Sequence, residues 1–201
     1  MPGITVYGDI GISVLRKEQN AFLRDRVGVL PNIKSVLNAG SNPEALDKEG
    51  LRYRDYFPNA EFYTLDKNVE LKYPNHFCLD LHDLSMLNKR FDLVLCMSVL
   101  EHVKNPFVVA KQLKSVIADG GYLFVSVPLF YPVHKSPDEG FSDYWRFTDD
   151  GLRELFEDLN ELWIMRYSSV IIAVRDRNKN YDEEKTASGY CALFRKENES
   201  L

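Results

Sequence analysis

The chain has 201 residues, of which 45% are hydrophobic and 27% charged, enough for one domain with a substantial core. Its net charge of −5 offers no general attraction for nucleic acid, and no apolar run reaches the length of a bilayer span. The N-terminus lacks a basic stretch followed by a long apolar one, so no secretory signal is expected and the expected location is cytoplasmic. Cys78, Cys96 and Cys191 are odd in number and far apart in apolar stretches. They fit buried thiols of a reduced compartment, with no disulfide framework and no metal site expected.

Taken in order, residues 1–12 are irregular and glycine-rich. From Val14 to Val29, Val14, Leu15, Phe22, Leu23 and Val27 stand among charges at helical spacing, and Pro31 ends the pattern. Residues 1–30 are therefore expected to cover either a sheet edge or a ligand site. Ser35–Ala39 reads as a buried strand leading into a turn at Gly40. A second strand, Glu61–Leu65, ends in Asp66, about 26 residues after the glycine. Between them, Arg52, Tyr53, Arg54 and Tyr56 form a basic-aromatic cluster assigned to surface packing.

Phe77–Leu81 reads as a third strand carrying Asp80. Phe91–Met97 is apolar almost throughout and so is expected to be buried on both faces. Ser98–His102 starts a short helix. Asn105 and Pro106 are a cap and first residue for another, Phe107–Ile117, which Asp119-Gly120-Gly121 ends. Tyr122–Val127 is a fifth strand. A loop from Pro128 to about Trp145 follows, then a helix, Asp149–Leu159, capped by Thr148. Leu162–Val174 and Ala187–Phe194 are late strands around a polar insertion, Arg175–Lys185. The alternation implies a single α/β domain over 1–201: a Rossmann-like, doubly wound, mostly parallel seven-stranded sheet with a C-terminal antiparallel strand.

In such a sheet ligands sit outside the carboxyl ends of the strands. Those ends carry Gly40, Asp66, Asp80 and Met97-Ser98. A glycine allows close backbone approach, and a carboxylate accepts two hydrogen bonds from a ribose diol. Together they point to a nucleoside ligand. The glycine signal alone is weak, because Ser41, Asn42 and Pro43 stand where GxGxxG would place further glycines.

Ser35–Gly40, Leu65-Asp66, LDLHDL (Leu79–Leu84), FDLVLCMSVLEHVKNP (Phe91–Pro106) and LKSVIADGGYLFVSVP (Leu113–Pro128) together resemble class I S-adenosylmethionine-dependent methyltransferases. The closest branch is the type 11-like one. DYWRFTDDGL (Asp143–Leu152) resembles bacterial members of that branch often found among surface-polysaccharide genes. The resemblance covers about residues 15 to 195 and implies S-adenosylmethionine as cofactor. It implies the methionine moiety near Ala39, Gly40 and Ser41, the ribose on Asp66, the adenine near Lys67, Asp80 and Leu81, and the sulfonium near Met97, Ser98 and His102. Asn38 stands where the family usually has an acid, and an asparagine still hydrogen-bonds a ligand amine.

Methyl transfer is an in-line displacement that depends on positioning, and an oxygen acceptor also needs a base. His134, in the loop where an acceptor would enter, and His102, beside the cofactor site, are the catalytic candidates. His76 and His82 read as surface residues. Tyr144 and Arg146, with His134, are candidate acceptor contacts, since aromatic rings stack on sugars and arginine binds carboxylate or phosphate. Alternatively, Asp143–Arg146 is a structural corner with Trp145 buried and Arg146 paired to an acid. The expected function is methyl transfer to a small molecule, a saccharide or nucleotide-sugar precursor. The alternatives are a non-catalytic binding or scaffold protein on the same fold and, weakly, a nicotinamide-dependent oxidoreductase.

Overall fold

The computed structural model describes residues 4–7, 12–47, 49–68, 73–138, 140–175 and 181–198. Among the described residues, eight strands form one sheet: β1 (Ile4–Tyr7), β2 (Ser35–Ala39), β3 (Glu61–Leu65), β4 (His76–Phe77), β5 (Phe91–Met97), β6 (Ile117–Pro128), β7 (Asn160–Arg175) and β8 (Tyr181–Arg195). The order is β1-β7-β8-β6-β5-β2-β3-β4. β2 pairs in parallel with β3 and β5, and β3 with β4 and β5 with β6 are also parallel. β8 lies antiparallel between β6 and β7, as expected for the C-terminal strand.

The pleat divides the core. On β5, Val94 and Cys96 join one cluster, while Leu93, Leu95 and Met97 join the other on the opposite face. Each face has its own helical cover. α2 (Pro106–Ser115) and α3 (Asp149–Leu155) bury Val109, Leu113, Leu152 and Leu155 against the first face. α1 (Ile12–Phe22), continued by a π-helical turn at Leu23–Val27, covers the second. There Phe22 stacks on Phe124 at 5.8 Å and meets the edge of Trp163 at 4.1 Å. Both expected caps form: Asn105 and Thr148 accept from the backbone N–H groups of Val108 and Gly151.

Several boundaries differ from the sequence reading. The third strand is only His76–Phe77, because Asp80 turns the chain into a 3-10 helix, Leu81–Leu87. α2 stops at Ser115, since Ile117 is drawn into pairing with Phe91, and α3 stops at Leu155. Within residues 1–12, Ile4–Tyr7 is a strand that pairs with the far end of β7; residues 1–3 and 8–11 lie outside the described ones. The polar stretch Arg175–Lys185 is partly strand, with Arg175 opposite Tyr181, and 176–180 lie outside the described residues. Cys96 and Cys191 are buried as expected, but Cys78 is exposed because β4 ends before it. No helix among the described residues is long and apolar enough to cross a membrane.

Phe124 is fully buried at the junction of sheet and α1. Phe124→Ala is expected to cost about 3–5 kcal/mol. Urea unfolding checks this, and a loss below about 1 kcal/mol would mean that α1 does not close over this face.

Candidate functional site

The sheet reverses its winding between β2 and β5, and their carboxyl ends meet there. Gly40 has φ of 77°, and a Cβ at this position would lie 2.6 Å from a Val99 methyl. The backbone N–H groups of Gly40 and Ser41 both donate to the Leu65 carbonyl, at 2.7 and 2.9 Å. This ties the glycine turn to the end of β3. Asn42, where a further glycine was lacking, closes the loop instead: its side-chain oxygen accepts from the Glu44 N–H at 2.9 Å. Ser98 is held in left-handed backbone, φ 54°, with its N–H donated to the Ser126 carbonyl at 2.9 Å.

Two cavities open on this rim, and Gly40 and Ser98 line both. The smaller, about 300 Å³, is also lined by Asn38, Ser41 and Met97. The larger, about 990 Å³, takes in Asp66, Lys67, Asp80, Leu81, His102, His134 and Tyr144. The structure thus brings together the sequence-predicted residues, with two exceptions. Ala39 is packed into the core beneath the turn. Arg146 lies outside both cavities: it grips Asp143 with two guanidinium nitrogens, Nη2 to Oδ2 at 2.7 Å, and donates to the carbonyls of Tyr131, Pro132 and Trp145. That fork is the structural-corner alternative, although Trp145 is 40% exposed rather than buried, its indole N–H donated to the Val103 carbonyl at 2.9 Å.

Asn38 offers a direct fit test for the implied ligand. It is buried, and its Nδ2 has no hydrogen-bond partner among the described residues. A buried donor without an acceptor costs about 1–3 kcal/mol, so this side chain is suited to an anionic group arriving in the smaller cavity. A methionine α-carboxylate meets that need, where the sequence had pointed to the amine. Asp66 accepts from the Asn68 N–H at 2.8 Å, which orients its carboxylate at the end of β3. Asp80 caps the following 3-10 helix by accepting from the His82 N–H at 3.0 Å. Burial works against its ionisation, but the His82 backbone and ring and nearby Lys67 outweigh this and hold the carboxyl below the usual range.

Sequence reasoning missed His82, read as a surface residue. It lines the larger cavity, and its Nδ1 lies 2.6 Å from Asp80. It also missed Gln19, whose amide nitrogen donates to Ser126 and, at 3.4 Å, to Ser98, so that α1 reaches the rim of the site. At the acceptor end a strap runs across the turn after β5. The Tyr144 N–H donates to the Glu101 carbonyl at 2.7 Å, and His102 Nδ1 to the Ser142 carbonyl at 2.7 Å. Burial lowers the His102 pKa despite the Ser142 carbonyl, keeping the ring neutral at pH 7. His134 stands edge-on to His102, ring centres 4.8 Å apart, and its backbone N–H donates to Asp143 at 2.7 Å.

A family model described as a methyltransferase domain matches residues 16–165. The ubiquinone biosynthesis O-methyltransferase of Coxiella burnetii is 40% identical over 52 residues, 26% of this chain and 22% of that enzyme. That of Aeromonas salmonicida is 33% identical over 67 residues, 33% of this chain and 27% of that enzyme. The matched stretch thus spans well under half of these curated relatives. Among solved structures, the 1,6-didemethyltoxoflavin-N1-methyltransferase of Burkholderia thailandensis, with bound 1,6-didemethyltoxoflavin and S-adenosylhomocysteine, has a TM-score of 0.60 at 15% identity, covering 93% of this chain and 80% of that one. The N-methyltransferase NodS of Bradyrhizobium japonicum, with S-adenosylhomocysteine, has a TM-score of 0.56 at 12% identity, covering 94% and 89%. At these identities the two structures speak for the fold.

Gly40→Ala is expected to lose about 1–2 kcal/mol from left-handed backbone alone, with the Val99 clash in addition. Thermal unfolding measures it, and an unchanged midpoint would contradict the packing of the two strand ends. The Arg146 fork, against the opposing effect of burial, holds Asp143 at about 2, below its ordinary 3.8. Because the folded-state value is depressed, this contribution is present above about pH 4 and lost as pH falls toward about 2. Asp143→Asn should therefore flatten the acid limb of the stability curve, and an unchanged limb would refute the assignment.

Proposed function

This chain belongs to the methyltransferase domain family, and from that membership we propose that it methylates an oxygen of a small polyhydroxylated acceptor, a saccharide or nucleotide-sugar precursor. S-adenosylmethionine is the cofactor and supplies an electrophilic methyl group on its sulfonium. Asn38 Nδ2 donates to the cofactor's carboxylate, and the Gly40–Ser41 turn admits the methionine moiety. Asp66 accepts from the ribose hydroxyls, with Lys67, Asp80 and Leu81 around the adenine. Met97 and Ser98 bound the junction between the two cavities.

The observation that carries this reading is the meeting of the cavities at Gly40 and Ser98. The larger cavity holds the nucleoside-type acid Asp66 at one part of its wall and His102, His134 and Tyr144 at another, and the smaller one adjoins it with Asn38 and Ser41. An acceptor hydroxyl must lose its proton as it reacts, and two imidazoles beside the acceptor are suited to drawing it off. Tyr144, 48% exposed, offers a ring face to a sugar. Arg146 serves the site by holding Asp143, which in turn fixes the His134 backbone.

The test is transfer of label from methyl-labelled S-adenosylmethionine to sugars and nucleotide sugars, with products identified by mass spectrometry. Asp66→Ala should raise the KM for the cofactor about tenfold to a hundredfold, the loss of one or two charge-assisted hydrogen bonds. Tyr144→Ala should raise the KM for the acceptor while leaving that for the cofactor unchanged. Labelling confined to acceptors without hydroxyl groups would refute the oxygen assignment.

A further inference from the structure

Glu101, His102 and His134 each bring one metal-ligating atom to within 4.8 Å of the others. Glu101 comes from the turn after β5, with its side chain only 1% exposed, whereas His134 comes from the loop after β6. Their hydrogen bonds set which ring nitrogens carry hydrogen. His102 Nδ1 lies 2.7 Å from the Ser142 carbonyl, and a carbonyl only accepts, so Nδ1 holds the proton. In the neutral ring the lone pair is then on Nε2, which faces Glu101 Oε1 at 3.8 Å. His134 Nδ1 lies 3.2 Å from the Pro132 carbonyl and 3.2 Å from the Asp143 carboxylate. Both of these accept, so the His134 lone pair is also on Nε2.

Two imidazoles and a carboxylate therefore gather with their N–H groups turned outward onto oxygen acceptors. This is how outer partners fix the tautomer and orientation of metal-bound histidines. Arg146 acts on Glu101 electrostatically, while its hydrogen bonds go to Asp143 and to carbonyls. We propose that Glu101, His102 and His134 bind one divalent transition cation of the Zn²⁺ type, leaving a coordination position open to the acceptor hydroxyl.

The open position rests on reading the His102–His134–Tyr144 part of the larger cavity as the acceptor site; the ligand set does not. A two-histidine, one-carboxylate set suits borderline ions, whereas Mg²⁺ and Ca²⁺ prefer all-oxygen sets. Bonds of about 2.0–2.1 Å put tetrahedral ligands about 3.3 Å apart, so the three groups must close slightly around the ion. A hydroxyl on that ion loses its proton to solvent more readily, with no change in oxidation state. The histidines then act as ligands only, and solvent in place of either ring takes the proton.

The test uses the full chain, stripped with chelator and titrated with Co²⁺ by visible absorption and with Zn²⁺ by calorimetry. S-adenosylhomocysteine is titrated into the same samples. The expected result is one saturable site with the intense d–d bands of a low-coordinate nitrogen-oxygen set. His134→Ala and His102→Ala should each weaken it at least about tenfold, and His134→Ala should keep S-adenosylhomocysteine affinity. Absence of a saturable site in the wild type, or a site unchanged in both variants, overturns the proposal. Cobalt binding with this residue dependence but without S-adenosylhomocysteine binding supports the metal site and overturns the cofactor reading instead.

Discussion

The site depends on one close contact, the seating of Gly40 against Val99 where β2 and β5 end side by side. No side chain fits between them, so the two strand ends approach closely enough for both cavities to share one rim. The Leu65 carbonyl takes two N–H groups from the glycine turn and brings the end of β3, with Asp66, to the same rim. The positive φ of Ser98 carries a cost of order 1–2 kcal/mol for a non-glycine residue. Its bond to Ser126 and the Gln19 amide from α1 offset that cost. The helix covering the second face of the sheet thereby supports the geometry of the site.

A second constraint shapes the acceptor end. The turn Leu100–His102 has little regular structure of its own. It is stapled by the strap Ser142–Trp145 in the loop after β6, through the Glu101 carbonyl, His102 Nδ1 and the Val103 carbonyl. The strap is in turn rigid because Arg146 and Asp143 form a two-point ion pair with the Asp143 side chain almost wholly buried. Removing either partner leaves the other charge uncompensated, so the DYWRF segment acts through the placement of His102 and His134. Of its five residues, Tyr144 lines the chamber.

Much of this was legible in the sequence for identifiable reasons. β2, β3 and β5 were placed with their observed bounds because they are apolar or alternating runs closed by a glycine, an acid or a serine. The caps at Asn105 and Thr148 are local chemistry, and both formed. The rule that ligands gather at carboxyl strand ends put most of the candidate residues around two adjoining cavities. What escaped depends on distant partners. β1 exists through pairing with the far end of β7, and Gln19 matters through Ser126. Arg146, which the sequence left open between an acceptor contact and an ion pair with an acid, forms the ion pair, its partner standing three residues before it. His82 was assigned to the surface because the turn that folds it beside Asp80 was read as the end of a strand.

The account rests on the joined cavities being a cofactor site, and calorimetric titration of the purified protein with S-adenosylhomocysteine tests that most directly, with NADH as the control. It predicts one saturable site of micromolar affinity for S-adenosylhomocysteine and none for NADH. No binding of S-adenosylhomocysteine, or equal binding of the two, would contradict it and leave the fold as that of a non-catalytic relative.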